Sequence, residues 1–380
     1  MEAIVSQYTD LFTKSNDAER LELQAQLLEL RDAHDSEWDL ILRLSSCTLQ
    51  MPLLKIGTDL GIFEHLVKNE KPTHLDDLAK QVGSSPDLLR HLLRASAAFH
   101  FIKETGKDEF TANRQTKIFA NPNAAGAMVH LYDCHGPVTY ALPEYLKERN
   151  YRPITSNKDL PFQKALKTDL APFDWMRQHP EQMKSLGQAM AIERGRQWTE
   201  SYPVTDRVGT FKPKPESALL VDVGGGFGQQ AVDFKTRFPH LPGRIIVQDI
   251  PETLSRAPTV EGIEFMVQDF FQPQVIEGAK FYYLRHILHD WADEDCVRIL
   301  KNLVPALGAE SYVVIDEVVF PDTGAPWQAA YMDLAMMSTL GAKERTRSEF
   351  ESILEEAGLR VIDIHQYDPK TTSVILAVLK

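Results

Sequence analysis

Apolar positions recur along this chain at two different spacings. In the first half the spacing is helical. Leu21, Leu23, Leu27, Leu28 and Leu30 lie among Glu, Gln and Arg behind Ser15-Asn16-Asp17, which predicts a capped helix through about Asp35. That helix is either a surface helix of its own domain or an arm that packs on a second subunit. Trp38 to Leu66 is largely apolar, with helix signals. Thr73 opens a short helix with acids in its first turn, and Ser85-Pro86-Asp87 opens another, Ser as N-cap and Pro at the first helical position. Phe101 to Thr111 predicts a short hairpin with Gly106 at its turn. Short helices followed by a hairpin make a winged-helix pattern. Residues 126–200 read as mostly helical and rich in aromatics and methionines.

Beyond the stiff stretch Lys212-Pro213-Lys214-Pro215 the pattern changes to alternating strands and helices. Leu219 to Val223 predicts a buried strand, and further strands are expected at Arg244–Gln248, Ile263–Val267, Lys280–Leu284, Tyr312–Ile315 and Ser373–Leu379. Helices are expected at Asp293–Leu307, Trp327–Thr339 and Ser348–Ala357, the last ended by Gly358. This alternation predicts an α/β architecture with a doubly wound parallel sheet and ligands at the carboxyl ends of the strands. The expected organisation is an N-terminal domain over 1–125, a helical connecting segment over 126–210 that contributes to the pocket, and a catalytic domain over 211–380.

Composition narrows the function. A formal charge of −13 over 380 residues argues against a general nucleic-acid role, because a phosphate backbone wants a basic face. For the same reason the winged-helix pattern is read as structural or dimer-forming rather than DNA-binding. Cys47, Cys134 and Cys296 are far apart and include no Cys-x-x-Cys, so neither a zinc ribbon nor a disulfide framework is expected. Met1 to Ala18 lacks the apolar core of a signal peptide, and no apolar run reaches membrane-spanning length. A cytoplasmic protein without a membrane partner is the expectation.

Candidate chemistry gathers at the strand ends. The predicted first strand of the second half runs into Gly224, Gly225, Gly226 and Gly228 and then a helix. Such a turn lets the backbone approach a ligand and aims free N–H groups at it, as a nucleotide-type cofactor needs. Asp249 ends the second strand about twenty residues later, where a carboxylate can accept both ribose hydroxyls of either NAD or S-adenosylmethionine. Asp269 and Phe270 end the third strand, placed to hold and cover an adenine. Arg285 to Trp291 follows the fourth strand and supplies His286 and His289, and a histidine near neutral pKa at a strand end is a candidate general base. His286 and His289 could form a metal pair, but no third ligand stands nearby in sequence, and no metal is expected. Asp316-Glu317 or Glu344 could fix the tautomer of that base, Glu344 being alternatively an ion-pair partner of Arg345 or Arg347.

Val221 to Gly228, Leu288-His289-Asp290-Trp291 and Gly341-Ala342-Lys343-Glu344-Arg345-Thr346 together resemble the plant caffeic-acid-type and fungal O-methyltransferase family. Leu142 to Leu146 and Pro161 to Ala165 resemble its fungal branch. The resemblance implies S-adenosylmethionine as cofactor, a Rossmann-like catalytic domain and a winged-helix-like N-terminal half used for homodimerisation. It places Gly224, Gly226, Asp249, Asp269 and Phe270 on the cofactor. Arg285 stands where plant members carry a Lys near the cofactor. His289 is implied as the base, flanked by Glu317 and Glu344 and followed by Asp290.

The implied reaction is deprotonation of a phenolic hydroxyl of a small secondary metabolite by His289, with in-line attack on the cofactor's methyl. His135, Trp175, Met332 and Met336 are candidate pocket walls for a flat ring, although aromatic and methionine residues at helical spacing are as readily core. The alternative is a family member recruited for non-methylating dehydration or pericyclic chemistry on a polyketide-type substrate, with His135 and Lys343 as donors.

Overall fold

The computed structural model describes residues 2–69, 71–154, 156–192, 195–209, 211, 213 and 217–380. Of the expected boundary Lys212-Pro213-Lys214-Pro215, residues 212, 214 and 215 lie outside the described set. The chain divides into two compact units, one of residues 1–140 with 173–193 and one of 141–172 with 194–380. The stretch 126–210 therefore feeds both units, because the backbone passes between them more than once.

The first unit is helical. Asn16 caps the helix Asp17–His34 through a capping box with Glu19, and Ser36 caps the helix Glu37–Asp59. Neither Glu2–Lys14 nor Asp17–His34 buries a residue, and Ile4, Leu11, Leu30, Trp38 and Ile41 remain exposed. The winged-helix pattern is present. Ser85 and Pro86 open the helix Pro86–Ala98 as expected. Thr73 belongs instead to strand β1 (Thr73–His74), which leaves His74 Nδ1 to accept the Asp76 N–H at the start of the helix Leu75–Val82. β2 (Lys103–Gly106) and β3 (Glu109–Thr111) form the hairpin, and β3 also pairs with β1. Its positive-φ turn residue is Asp108 (φ 59°) rather than Gly106, since Asp tolerates the left-handed region. Leu66, Leu75, Leu78, Leu89, Leu93 and Phe110 close the core of this unit.

The second unit is organised on a twisted sheet. Its strands are β4 (Ala218–Val223), β5 (Arg244–Asp249), β6 (Glu264–Val267), β7 (Phe281–Arg285), β8 (Tyr312–Phe320), β9 (Arg345–Thr346), β10 (Leu359–Gln366) and β11 (Thr372–Leu379). The order across the sheet is β10-β11-β8-β7-β4-β5-β6, with β9 pairing on β8. β6, β5, β4, β7 and β8 run parallel, as the alternation predicts. The sheet is nevertheless mixed, because β11 enters antiparallel to β8 and carries β10 as an antiparallel edge. β10 is absent from the sequence reading for a physical reason. Counted at period two, Asp363 and His365 interrupt the apolar set begun by Leu359 and Val361, and Ile362 and Ile364 fall in the set of Arg360 and Gln366, so no clean alternation marks this edge strand. Side chains alternate across the sheet, so Val221, Val223, Tyr282, Leu284, Val313 and Ile315 fill one core layer. Leu220, Phe281, Tyr283 and Val314 fill the other, over Trp198 and Phe234.

Candidate functional site

β4 and β5 build a glycine cradle. Gly224 and Gly226 have φ of 70° and 59°, and the Gly224 and Gly225 N–H groups both donate to Gln248 O at the end of β5, 2.8 and 3.0 Å away. That bonding pulls the loop flat over the sheet edge. A Cβ on Gly224 would stand 2.6 Å from Ile287 Cδ1 and 3.5 Å from Phe270 Cε1, whereas one on Gly226 would meet nothing within 4 Å. The cradle is thus tight below Gly224 and open above Gly226, which suits a ligand on the open side. Asp249 Oδ2 accepts the Gly226 N–H at 2.9 Å, and Oδ1 accepts the Ile250 N–H at 2.8 Å. Burial raises the Asp249 pKa, and those two N–H bonds oppose the rise. Asp269 Oδ1 accepts the Phe271 N–H, and the Phe270 and Phe271 rings lie edge-on to Trp291 at 6.0 and 4.7 Å.

Beneath the cradle lies a carboxylate that the sequence reading did not single out. Asp222 is buried, a Cβ on Gly225 would sit 2.5 Å from its Cγ, and Oδ2 has no hydrogen-bond partner among the described residues. Burial pushes its pKa up to about 7 against the nearby Arg285 charge. Arg285 itself turns to other groups. Its Nη1 donates to Gln197 at 3.1 Å, and its Nε is 3.7 Å from Asp316. Asp316 also accepts the Tyr283 and Tyr367 hydroxyls at 2.5 and 2.7 Å.

The end of β7 carries the candidate base His289. His289 lies on a buried turn, Leu288–Asp290, that is held from both sides. Glu317 Oε1 accepts the Ile287 and Leu288 N–H groups, both at 2.9 Å. Arg345, fully buried, donates to the Leu288 and Trp291 carbonyls, each at 2.7 Å, and from Nε to Asp293 at 2.8 Å. Period-two alternation along β8 decides which of two adjacent acids serves the turn. Glu317 faces it, while Asp316 faces Tyr283 and Tyr367.

The His289 ring sits among three carboxylates. Nδ1 is 2.9 Å from Glu344 Oε1 and 3.9 Å from Glu317 Oε2, and Nε2 is 3.4 Å from Asp290 Oδ1. Burial works against charge on the ring, but Glu317, Asp290 and Glu344 together push its pKa up to about 10. The Glu344 backbone N–H donates to Asp333 at 3.0 Å, which fixes the acid on its loop. Burial raises the Glu344 pKa against the pull of the imidazole. The helix Trp327–Leu340, which carries half-buried Met332 and buried Met336, packs on this turn.

His289, Glu317, Glu344 and Asp290 are therefore brought together, as are Gly224, Gly226, Asp249 and Phe270. The two groups meet where Ile287 touches Gly224 and Trp291 touches Phe270. His135 and Trp175 belong to the first unit. His135 ends a π-turn over Leu131–His135, its ring edge-on to His130 at 5.1 Å, and burial pushes both imidazoles down to about 4. Trp175 stacks on His179 at 3.8 Å. Sequence reasoning missed the clamping role of Arg345, although its place inside Lys343-Glu344-Arg345-Thr346 could have signalled it.

Residues 156–360 match the O-methyltransferase domain family, and residues 42–122 match the O-methyltransferase dimerisation domain family. The chain belongs to the O-methyltransferase family. It is 50% identical over its whole length, and over 98% of the relative, to demethylsterigmatocystin 6-O-methyltransferase of Aspergillus flavus. It is 43% identical, over 100% of both chains, to O-methyltransferase okaF of Penicillium ochrochloron. The solved structure of LepI in complex with S-adenosylmethionine superposes with a TM-score of 0.96 at 35% identity, covering 100% of this chain and 98% of that one. The chain is an S-adenosylmethionine-dependent O-methyltransferase of the class I fold with an N-terminal dimerisation domain. Among the described residues no helix is long and apolar enough to cross a membrane.

Proposed function

We propose that His289 takes the proton from a phenolic hydroxyl of a small, polyketide-like secondary metabolite, and that Gly224, Gly226, Asp249, Asp269 and Phe270 hold the cofactor beside it. The cradle fits that group, being tight where Ile287 supports it and open above Gly226 next to a carboxylate. When bound, S-adenosylmethionine supplies a methyl group on a positively charged sulfur. The chain's own residues supply the rest. Glu344 holds the ring through Nδ1, which leaves Nε2 to face the acceptor and stabilises the imidazolium that forms. A phenol has a pKa of about 10. An ordinary imidazole, at about 6.5, would take that proton at a cost of about 5 kcal/mol. The carboxylates around His289 stabilise the imidazolium that forms and offset that cost, and because the same pull keeps the ring charged below about pH 10, the neutral form that accepts the proton grows as pH rises.

The observation that carries this reading is the 2.9 Å Nδ1–Glu344 contact inside a ring of carboxylates, two residues beyond Ile287, which packs under Gly224. The test is His289→Ala. Methyl transfer is expected to collapse while calorimetric cofactor binding is nearly unchanged, and retained turnover would remove His289 from the role. The relatives named for demethylsterigmatocystin make that compound the first acceptor to assay. A homodimer fits the dimerisation domain and the exposed apolar faces of Glu2–Lys14 and Glu37–Asp59. Cytoplasmic action fits three unpaired cysteines.

A second reading has its own support, because a structure with the same TM-score of 0.96 is described as a pericyclic reaction enzyme. Product mass separates the two. Transfer adds one methyl and releases S-adenosylhomocysteine, and a rearrangement does neither.

A further inference from the structure

Three donors near the base are arranged for more than proton transfer. His286 precedes His289 by one helical turn's spacing, and its backbone is left-handed, with φ 50°. That bend brings its ring beside the base, the two centroids 4.9 Å apart and the planes tilted by 32°. Glu317 Oε2 lies 3.6 Å from His286 Nδ1 and 3.9 Å from His289 Nδ1. The Glu317 side chain is 0% exposed, and Oε2 has no hydrogen-bond partner among the described residues. Its other oxygen is spent on two backbone N–H groups. A buried carboxylate oxygen between two imidazoles, with nothing bonded to it, is costly unless a cation or donor visits it.

We propose that His286, His289 and Glu317 form a binding site for a borderline divalent transition metal, with Zn²⁺ as the probe, and that its occupation arrests the enzyme. One donor atom from each residue lies within 4.8 Å of the other two. Two imidazoles and one carboxylate are a set that Zn²⁺ takes with a fourth position left open. Bonds of about 2.0–2.2 Å place tetrahedral donors roughly 3.4 Å apart. The 3.6 and 3.9 Å separations are close to that already, and the widest pair, within 4.8 Å, needs to close by at most about 1.4 Å, within side-chain rotation. The nitrogen donors select against Mg²⁺ and Ca²⁺, which prefer oxygen. Asp290 and Glu344 add negative charge around the cation. The His286 and Asp290 side chains, 16% and 18% exposed, give it a route in. Arrest follows because a metal on His289 Nδ1 displaces its hydrogen bond to Glu344 and leaves the ring's proton on Nε2, the atom that takes the acceptor's proton, so this part rests on the base reading above.

The test titrates Zn²⁺ into the metal-free, full-length enzyme by calorimetry, which reads binding without turnover. Wild type is expected to bind one equivalent. His286→Asn, whose side chain tolerates the left-handed backbone, and Glu317→Gln, which keeps an acceptor for the two N–H groups, are each expected to weaken binding by about tenfold or more. Mg²⁺ is expected to give no binding heat. Unchanged Zn²⁺ affinity in both variants overturns the site. Saturating Zn²⁺ is expected to abolish methyl transfer reversibly on chelation. Zn²⁺ binding that both variants weaken, together with full turnover of the loaded enzyme, supports the site but removes His289 from the base role.

Discussion

Glu344→Gln isolates the charge that raises the base. Glutamine keeps an oxygen 2.9 Å from His289 Nδ1 and can still accept its N–H, so the ring stays in place while the charge goes. In the wild-type chain three carboxylates lift the imidazole to about 10. Relative to an ordinary histidine that is about 5 kcal/mol in favour of the charged ring, at about 1.36 kcal/mol per pKa unit. Glu344 makes a direct hydrogen bond to Nδ1, and a bond to a charged group contributes about 1.5–3 kcal/mol. Its loss lowers the His289 pKa by about one to two, to about 8–9. The same energy is lost from the imidazolium that forms as the phenol gives up its proton, which slows the maximal rate about ten- to a hundredfold. The assay is kcat/KM for the acceptor at saturating cofactor across neutral to alkaline pH. The rising limb of the wild-type profile is expected near pH 10 and that of the variant about one to two pH units lower, with a lower plateau. A variant whose plateau falls while its limb stays in place would refute the reasoning, since Glu344 would then act only on structure.

Asp249→Ala is expected to weaken cofactor binding by about ten- to a hundredfold through loss of a charged acceptor while leaving kcat at saturating cofactor largely intact, as calorimetry and saturation kinetics can show. Gly224→Ala forces a Cβ to within 2.6 Å of Ile287 Cδ1 at φ 70°, and is expected to cost about 1–3 kcal/mol of stability with a parallel loss of cofactor affinity. Arg345→Met strips two carbonyls and Asp293 of a fully buried donor, and is expected to cost about 3–5 kcal/mol in denaturant unfolding and to lower kcat by loosening the His289 turn. Because the folded His289 pKa lies above the unfolded value, its stabilising contribution is complete below about pH 6.5 and is lost as pH rises towards 10. Thermal melts of wild type are therefore expected to fall over that window, and those of His289→Ala to fall less.

Much of the site is legible in the chain because it is local. The glycine cradle, Asp249 and Asp269 each follow a strand whose apolar run marks its end, so periodicity locates them, and the resemblance carried by Leu288-His289-Asp290-Trp291 singles out His289 from the two histidines beyond β7. Short-range rules also recover the start of the helix Pro86–Ala98, and the helices Trp327–Leu340 and Arg347–Glu356 nearly to the residue. Other features depend on partners far away in sequence. Nothing local tells Asp316 from Glu317, since the choice is made by which face of β8 looks toward the β7 turn. Arg285 is drawn to Asp316 and Gln197, 31 and 88 residues away. The clamp made by Arg345 joins two motifs more than fifty residues apart.

The sequence by itself determined the α/β architecture and the glycine cradle, because turn chemistry and hydrophobic period act between near neighbours, and the resemblance of its motifs pointed to His289. Tertiary structure alone decided the antiparallel end of the sheet, the acids that face His289 and the alkaline shift of its ring. Strand direction at an edge and the sum of several buried charges are set by what packs together, whatever the distance along the chain.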